Sequence, residues 1–373
     1  MTKGPSNRDA AQVLGLVVNP VAGLGGAVAL KGTDGAAIVA RALAAGAEPH
    51  AGERARRAMD AFKRDGGGPV LTGPGNLGAE AAPWADVITL RPTGTAEDTK
   101  ALVKAMQGRV ALILFAGGDG TARDVMAANT AEIPILGIPA GVKMHSGVFA
   151  RTPERAGQVA AAFVAHQSQR LDDAEVMDID EEERRRGRLS AQLYGVARTP
   201  AGPTAHLGPK AGSGGDTVAE IDAALGAYAR DMDDDTLYFI GPGMTMAALK
   251  QRLGGGTLLG VDAARAGQII ARDLSEADIL GLLDANGRAR IVLTVIGGQG
   301  FLLGRGNQQF SPRVLGRIGL DAIDVICAAS KLAALTRPEL AVDTGDVELD
   351  QGLSGFRQVI TGPGRRQVIR VAA

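Results

Sequence analysis

Short runs of β-branched and aliphatic residues, each followed by a longer helical stretch, constrain the fold of this chain more than any other feature. In the first 165 residues the runs are Val13–Val18, Val70–Leu71, Val87–Leu90, Val110–Phe115 and Ile133–Ile138. They are apolar at consecutive rather than alternate positions, the pattern of strands covered on both faces of a parallel sheet. Helical patterning recurs between them over Gly35–Ala45, Glu53–Arg64, Glu97–Met106 and Ala122–Asn129, with one more helix at Glu154–His166. Thr95, followed three residues later by Asp98, reads as a capping box opening the third of these helices. The βαβα order predicts an open parallel α/β sheet with helices on both faces, a Rossmann-like domain over residues 1–165.

After Thr152-Pro153 the pattern changes. Gln192–Val196, Thr236–Ile240 and Gln268–Ala271 are short segments between Gly, Pro and Asp clusters, and they predict a second, β-rich domain over residues 166–373. Within it Asp216–Arg230 reads as an amphipathic helix. Ile291–Ile296, a glycine-rich loop, a helix opened by Ser311-Pro312 and Ile323–Ala328 form a second strand–helix–strand unit. Glu181–Arg186 is a charge run, the mark of a solvated turn or helix face. Two domains are also what a chain of 373 residues calls for, since single cores stop growing below that size.

Charge and cysteine content narrow the function. Forty basic and 41 acidic side chains leave a formal charge of -1, which gives no electrostatic reason to expect nucleic acid or an anionic membrane as partner. Aromatic residues are 3% of the chain, too few for the stacking platforms of single-strand binders. The single cysteine, Cys327, rules out an intrachain disulfide and fits a cytosolic, reducing compartment. Cys327 and Trp84 read as packing residues. The first nine residues are polar, unlike a secretion signal, and nowhere do 18 uncharged apolar residues run together.

The segment that carries chemistry is Ala111–Thr121. Five apolar residues bring the chain to the carboxyl end of a strand, where open α/β sheets bind ligands. Gly117 and Gly118 then let backbone N–H groups approach phosphate oxygens without a Cβ in the way. Asp119 supplies a carboxylate, Gly120 leaves it uncrowded, and Thr121 begins a helix whose start adds free N–H groups and a positive dipole end. A carboxylate in such a loop can accept the proton of an attacking hydroxyl or help to hold Mg²⁺. The same residues would also make a tight strand–helix turn capped by Asp.

Other segments repeat parts of this chemistry. Asn19-Pro20 with Gly23, Gly25 and Gly26 follows the first strand, as a phosphate contact or a simple turn. Gly241-Pro242-Gly243-Met244-Thr245 again sits between a strand and a helix. There Gly243 and the Thr245 hydroxyl face nucleotide or close a plain turn. Between Gly297 and Gly306, five glycines surround Gln299 and Arg305, with Asn307 next. The Arg305 guanidinium either neutralises phosphate as a planar fork or caps a solvent-facing hairpin. Asp343 and Asp346 lie three residues apart, as metal ligands or as an acidic turn. No zinc spacing, Walker phosphate loop or nucleophile elbow is present.

Gly117-Gly118-Asp119-Gly120-Thr121 after a buried strand resembles the signature of the NAD kinase and diacylglycerol kinase superfamily. Asn19–Gly26 is similar to the superfamily's amino-terminal Asn-Pro glycine-rich loop, and Pro134–Gly147 occupies the place of its next strand and substrate-side loop. With Ile296–Gln309, these details most resemble the NAD-kinase-like branch that includes acetoin-catabolism protein X. The resemblance covers nearly the whole chain. It implies an α/β first domain, a β-rich second domain and a site in the cleft between them. ATP or polyphosphate would be the phosphoryl donor, Mg²⁺ the cofactor, and a homo-oligomer the usual assembly. Asp119 would be the catalytic aspartate that activates the acceptor hydroxyl, the 2′-OH of NAD in NAD kinases. Gly141, Lys143, His145 and Ser146 would face the acceptor.

One departure stands out. NAD kinases carry an Asn-Glu or Asn-Asp pair that grips NAD, and none of the six asparagines here precedes an acid. Either NAD is held by different groups or the acceptor is another hydroxyl compound; the prediction is a small-molecule kinase, with NAD as acceptor. Its rivals are a kinase for another hydroxyl compound and a nucleotide-binding regulatory protein without turnover.

Overall fold

In the computed structural model, residues 12–24, 26, 28, 36–44, 46–141, 144–165, 170–179, 191–201, 215–296, 300–335 and 337–373 are described. The early apolar runs become strands, separated by the expected helices. They are β1 (Leu14–Val18), α1 (Ala36–Ala44), α2 (Ala51–Arg64), β2 (Val70–Thr72), β3 (Asp86–Val87), α3 (Ala96–Met106), β4 (Leu112–Gly117), α4 (Asp119–Ala128), β5 (Ile135–Pro139) and α5 (Pro153–Ala165). The strands form one sheet in the order β3-β2-β1-β4-β5, parallel throughout. Leu14, Leu16, Leu112, Leu114 and Leu136 share a core with Met59 and Phe62 of α2 and Ala156 and Ala160 of α5. On the opposite face Phe115 meets Phe149 edge to face, ring centres 5.4 Å apart, and Gly15 makes room for Met106 and Val110. The chain visits strands on one side of β1 first and then crosses to β4. That reversal opens a crevice at the carboxyl ends of β1 and β4.

Local departures have local causes. The strand expected over Val87–Leu90 shrinks to β3, whose two residues are exposed because it forms the sheet edge with one neighbour. Trp84 is not a core residue: it is 41% exposed, and Lys63 Nζ stands 4.6 Å from its ring centre, a surface cation–π contact. Thr95 does cap α3, accepting from the Glu97 amide. The Asp98 carboxylate turns back over the helix start and takes the amides of Thr93 and Gly94. Helix α4 begins at Asp119, two residues before the expected Thr121.

A two-stranded antiparallel sheet follows, β6 (Leu171–Ile179) with β7 (Ala191–Pro200). It packs on α4 and β5. The compact unit built on the parallel sheet therefore runs past residue 165: it comprises Met1–Leu24, Gly32–Ala40 and Glu48–Leu207. The charge run Glu181–Arg186 lies outside the described residues.

The second unit comprises Gly25–Lys31, Arg41–Ala47 and Gly208–Ala373. Its elements are α6 (Gly215–Arg230), β8 (Leu237–Ile240), α7 (Met244–Arg252), β9 (Asp262–Arg265), β10 (Gln268–Ala271), α8 (Glu276–Ala285), β11 (Ala289–Leu293), β12 (Phe301–Leu303), α9 (Pro312–Ile318), β13 (Ile323–Ile326), α10 (Ala329–Ala333), β14 (Glu339–Val342), α11 (Val347–Leu353), β15 (Gly355–Gly362) and β16 (Arg365–Ala372). The strands make one β-rich sheet in the order β10-β9-β8-β11-β13-β15-β16-β14-β12, parallel from β8 to β15. Alternation along these strands feeds two cores. Phe239, Ile291 and Val325 pack with Ile279 of α8 and Val314 of α9. Tyr238, Val292 and Ile326 pack with Leu225 of α6 and Leu249 of α7.

As the sequence predicts, Ser311 caps α9 and Pro312 opens it. Asp324 on β13 accepts two bonds from Arg290, each 2.7 Å, and one from the Tyr228 hydroxyl at 2.7 Å. Cys327 is fully buried, and burial pushes its thiol up to about 11. Among the described residues, no helix is long and apolar enough to cross a membrane.

Candidate active site

The site grows from the crevice between β1 and β4. Leaving β1, Asn19 donates its amide to the Ala116 carbonyl of β4 at 3.0 Å. Asn19 Nδ2 donates to Thr121 Oγ1 at 2.9 Å, and Asn19 Oδ1 accepts from the Val21 amide. These bonds tie the loop after β1 to the first turn of α4. Gly23 has φ of 85°, and its missing Cβ faces the Ala140 carbonyl. Gly118 is the residue before α4, and backbone meets backbone there. A Cβ on Gly118 would lie 3.2 Å from Gly141 Cα, and one on Gly141 would lie 2.7 Å from Gly118 Cα. At Gly141 a side chain cannot be added without moving backbone, and Gly118 leaves little room for one.

Asp119 is the first residue of α4 and 7% exposed. Its Oδ1 accepts from the Ser146 amide at 3.0 Å and from Ser146 Oγ at 2.6 Å. Its Oδ2 accepts from the His145 amide at 2.7 Å, and His145 Nδ1 stands 3.4 Å from the same oxygen. Ser146 is fully buried, and its Oγ also accepts from the Met177 amide of β6 at 3.0 Å. The His145 side chain is 25% exposed. The carboxylate sits at a helix start, where the dipole favours negative charge. It also clamps the turn that follows β5. Arg54 of α2 holds that strand end through the Pro139 carbonyl at 2.9 Å.

The first unit thus brings together Asn19, Gly23, Gly117, Gly118, Asp119, Gly120, Thr121, Gly141, His145 and Ser146. Gly25 and Lys143 lie outside the described residues. The sequence reading gave Asn19 and Thr121 to phosphate; in the structure their side chains bond each other. It missed the link from Ser146 to Met177, because β6 reads Leu-Asp-Asp-Ala-Glu-Val-Met and carries too little apolar pattern to announce a strand.

The remaining candidates belong to the second unit. Gly26 has its α-carbon against Gln308, whose Cβ would lie 2.9 Å from an added Cβ. Gly243 (φ 112°) precedes α7 and donates its amide to the Leu258 carbonyl at 2.8 Å; Thr245 lies in the first turn. Lys250 and Asp262 form a fully buried ion pair at 3.1 Å, with Lys250 Nζ also donating to the carbonyls of Thr257 and Gly260. Arg305 does not cap a solvent-facing hairpin. It is buried, its guanidinium 3.6 Å from Asp343 and 4.7 Å from the Phe301 ring centre. Asn307 bridges its own loop, accepting from the Gly304 amide and donating to the Leu302 carbonyl. Asp346 caps α11. Gly297, Gly298 and Gln299 lie outside the described residues.

The Mg²⁺ that the resemblance implies does not fit a protein cage. Both oxygens of Asp119 face N–H and O–H donors, the wrong polarity for a cation, and among the described residues no group of three His, Cys, Asp or Glu side chains converges. Mg²⁺ is commonly carried by nucleotide phosphates and water, so Asp119 is not assigned as a ligand. The arrangement offers a strand-end backbone cradle for an anion and a clamped carboxylate beside a partly exposed imidazole, the components of phosphoryl transfer to a hydroxyl.

A model of the ATP-NAD kinase N-terminal domain matches residues 14–168, and a model of the C-terminal domain matches residues 233–371. No curated protein and no solved structure matches the chain. The two domain matches cover most of the sequence in the order the two units take, so the chain belongs to the ATP-NAD kinase family, a family of kinase-type phosphotransferases.

Proposed function

We propose that this protein transfers a phosphoryl group from ATP or polyphosphate to the 2′-hydroxyl of NAD. The observation that carries the reading is Asp119, a buried carboxylate at the switch point of a parallel sheet, holding the turn of His145 and Ser146 in a chain with both ATP-NAD kinase domains. The backbone of Gly117–Gly118 and the loop at Gly23 approach the donor phosphates without side-chain obstruction. Asp119 supplies the negative charge that draws off the acceptor's proton. Gly243, Thr245, Arg305 and Asn307 are nucleotide candidates of the second unit, with Arg305 and Asn307 acting through the loop they hold. A divalent cation would travel with the donor. The reading includes a reducing, cytosolic setting and a homo-oligomer, for which the lone buried Cys327 and the family are the support.

A second acceptor is favoured by one observation. No asparagine here precedes an acid, so the pair that grips NAD in NAD kinases is missing. Another hydroxyl metabolite, such as one of an acetoin-catabolism-type pathway, would then take the phosphoryl group.

The test is a donor-by-acceptor screen with NADP detected by mass spectrometry, followed by Asp119→Asn. NADP should form in the wild type, and the variant should lose about 10²–10⁴-fold in turnover with nucleotide binding retained. Phosphorylation of another compound without NADP would favour the second acceptor. Nucleotide binding without any transfer, unchanged by Asp119→Asn, would favour a regulatory protein.

A further inference from the structure

The second unit holds a cavity of about 350 Å³ between the carboxyl-terminal half of α6, the amino ends of β11 and β13, and the β15–β16 hairpin. Arg290 and Asp324 line it from near the amino ends of those two parallel strands. The cavity therefore lies at the opposite strand ends from Gly241–Thr245, which follows parallel β8. None of its lining residues belongs to the first unit. Its volume falls at the lower end of the range for small-molecule sites, suited to a sugar phosphate or a hydroxy acid rather than to a dinucleotide.

One wall is fixed. Arg290 donates Nε and Nη2 to the two oxygens of Asp324, each at 2.7 Å, and the Tyr228 hydroxyl donates to the same carboxylate at 2.7 Å. A guanidinium carries five N–H donors in a rigid plane. Among the described residues, Asp324 is the only protein acceptor that Arg290 has, and its side chain is 36% exposed. The other arginines are held loosely. Arg365 reaches Glu220 at 2.6 Å, with side chains 72% and 40% exposed, and a solvent-exposed pair of that kind holds weakly. Arg366 meets Gln358 at 3.4 Å, near the outer limit of a hydrogen bond. Asp231, just past the end of α6, is exposed, and its carboxylate has no partner among the described residues. The lining thus has unused donors on three arginines and unused acceptors on one aspartate.

We propose that this cavity binds a small metabolite carrying a carboxylate or phosphate group together with hydroxyl or amino donors. The oxyanion is held by Arg290, Arg365 and Arg366, and a donor on the ligand is taken by Asp231. Asp324 already balances the charge of Arg290, so Arg290 contributes fixed hydrogen bonds. The attraction for negative charge comes from Arg365 and Arg366, whose weak tethers let them turn onto the ligand. The site is separate from phosphoryl transfer, since none of its residues belongs to the loops assigned to that reaction.

The experiment is isothermal titration of the full chain with ribose 5-phosphate, glycerol 3-phosphate, L-malate and L-glutamate, each alone. At least one should bind at a single site with Kd below about 1 mM, and the phosphate and carboxylate arms tell which oxyanion is preferred. Arg365→Glu and Arg366→Glu should each weaken that binding by about tenfold or more, and Asp231→Asn by a smaller factor. Both arginines are exposed, and thermal melting checks that the variants are folded. Asp119→Asn should bind the probe as the wild type does. If no probe saturates the wild type, the proposal falls. It falls equally if the Arg365→Glu, Arg366→Glu double variant binds as tightly as the wild type, or if Asp119→Asn is the change that abolishes binding. Failure of the wild type to transfer phosphate to any hydroxyl compound would overturn the kinase reading and leave this site untouched.

Discussion

Two turns in this molecule share a plan, Gly117–Thr121 between β4 and α4 and Gly241–Thr245 between β8 and α7, and they place their charge in opposite directions. In each, a strand leads into a glycine-bearing loop, and a helix starts directly after a glycine without a side-chain cap. In the first, the opening residue of the helix is Asp119, aimed at the turn after β5. In the second it is Met244, 76% exposed. The charge of the second turn lies behind it, where Lys250 and Asp262 pin the Thr257–Gly260 loop whose Leu258 carbonyl takes the Gly243 amide. One turn directs its carboxylate at the His145 and Ser146 amides; the other seals a carboxylate against a lysine. The strand–glycine–helix plan is common to both, and one side chain, Asp119 or Met244 at the helix start, sets them apart.

Breaking the second turn should produce the largest effect on stability. Lys250→Met leaves Asp262 buried without its cation and should cost about 3–5 kcal/mol in urea unfolding. A loss no greater than that of a surface substitution would mean that the pair does not hold the turn. Gly141→Ala attacks the first turn, since the new methyl meets Gly118 Cα. It should cost about 1–3 kcal/mol in thermal unfolding and reduce turnover as well. Unchanged turnover would separate the two glycine loops functionally.

The smallest change sharpens the contrast between sealed and presented charge. Tyr228→Phe removes one donor from Asp324 and should cost about 1 kcal/mol near neutral pH. Burial, and then the neighbouring Asp324, raises the Tyr228 hydroxyl above its ordinary value. Its contribution is therefore present in full below the unfolded-state value of about 10 and is lost as pH rises above it. The variant should show a shallower fall in stability on the alkaline side, read by urea unfolding across pH.

Much of the first unit was legible because its information is local. The consecutive apolar residues at Leu112–Ala116 and Ile135–Ile138 allow little except buried parallel strands, and Ser311-Pro312 announces a helix start by itself. The glycine–aspartate turn was legible for the same reason. What escaped were contacts between distant segments. Asn19 and Thr121 are 102 residues apart, and Ser146 and Met177 are 31 apart. Their hydrogen bonds follow from strand order, which no residue pattern encodes. Arg305 escaped in another way. Among glycines it reads as a phosphate ligand or as a solvent-facing cation, and only the fold brings Asp343 and Phe301 against it.

The Ser146 hydroxyl has one more consequence. It gives its hydrogen to Asp119 and receives one from the Met177 amide, so the carboxylate is wired to the hairpin through two consecutive bonds. The amide resonance of Met177 is thus a built-in gauge of events at Asp119, readable without placing a label in the site itself.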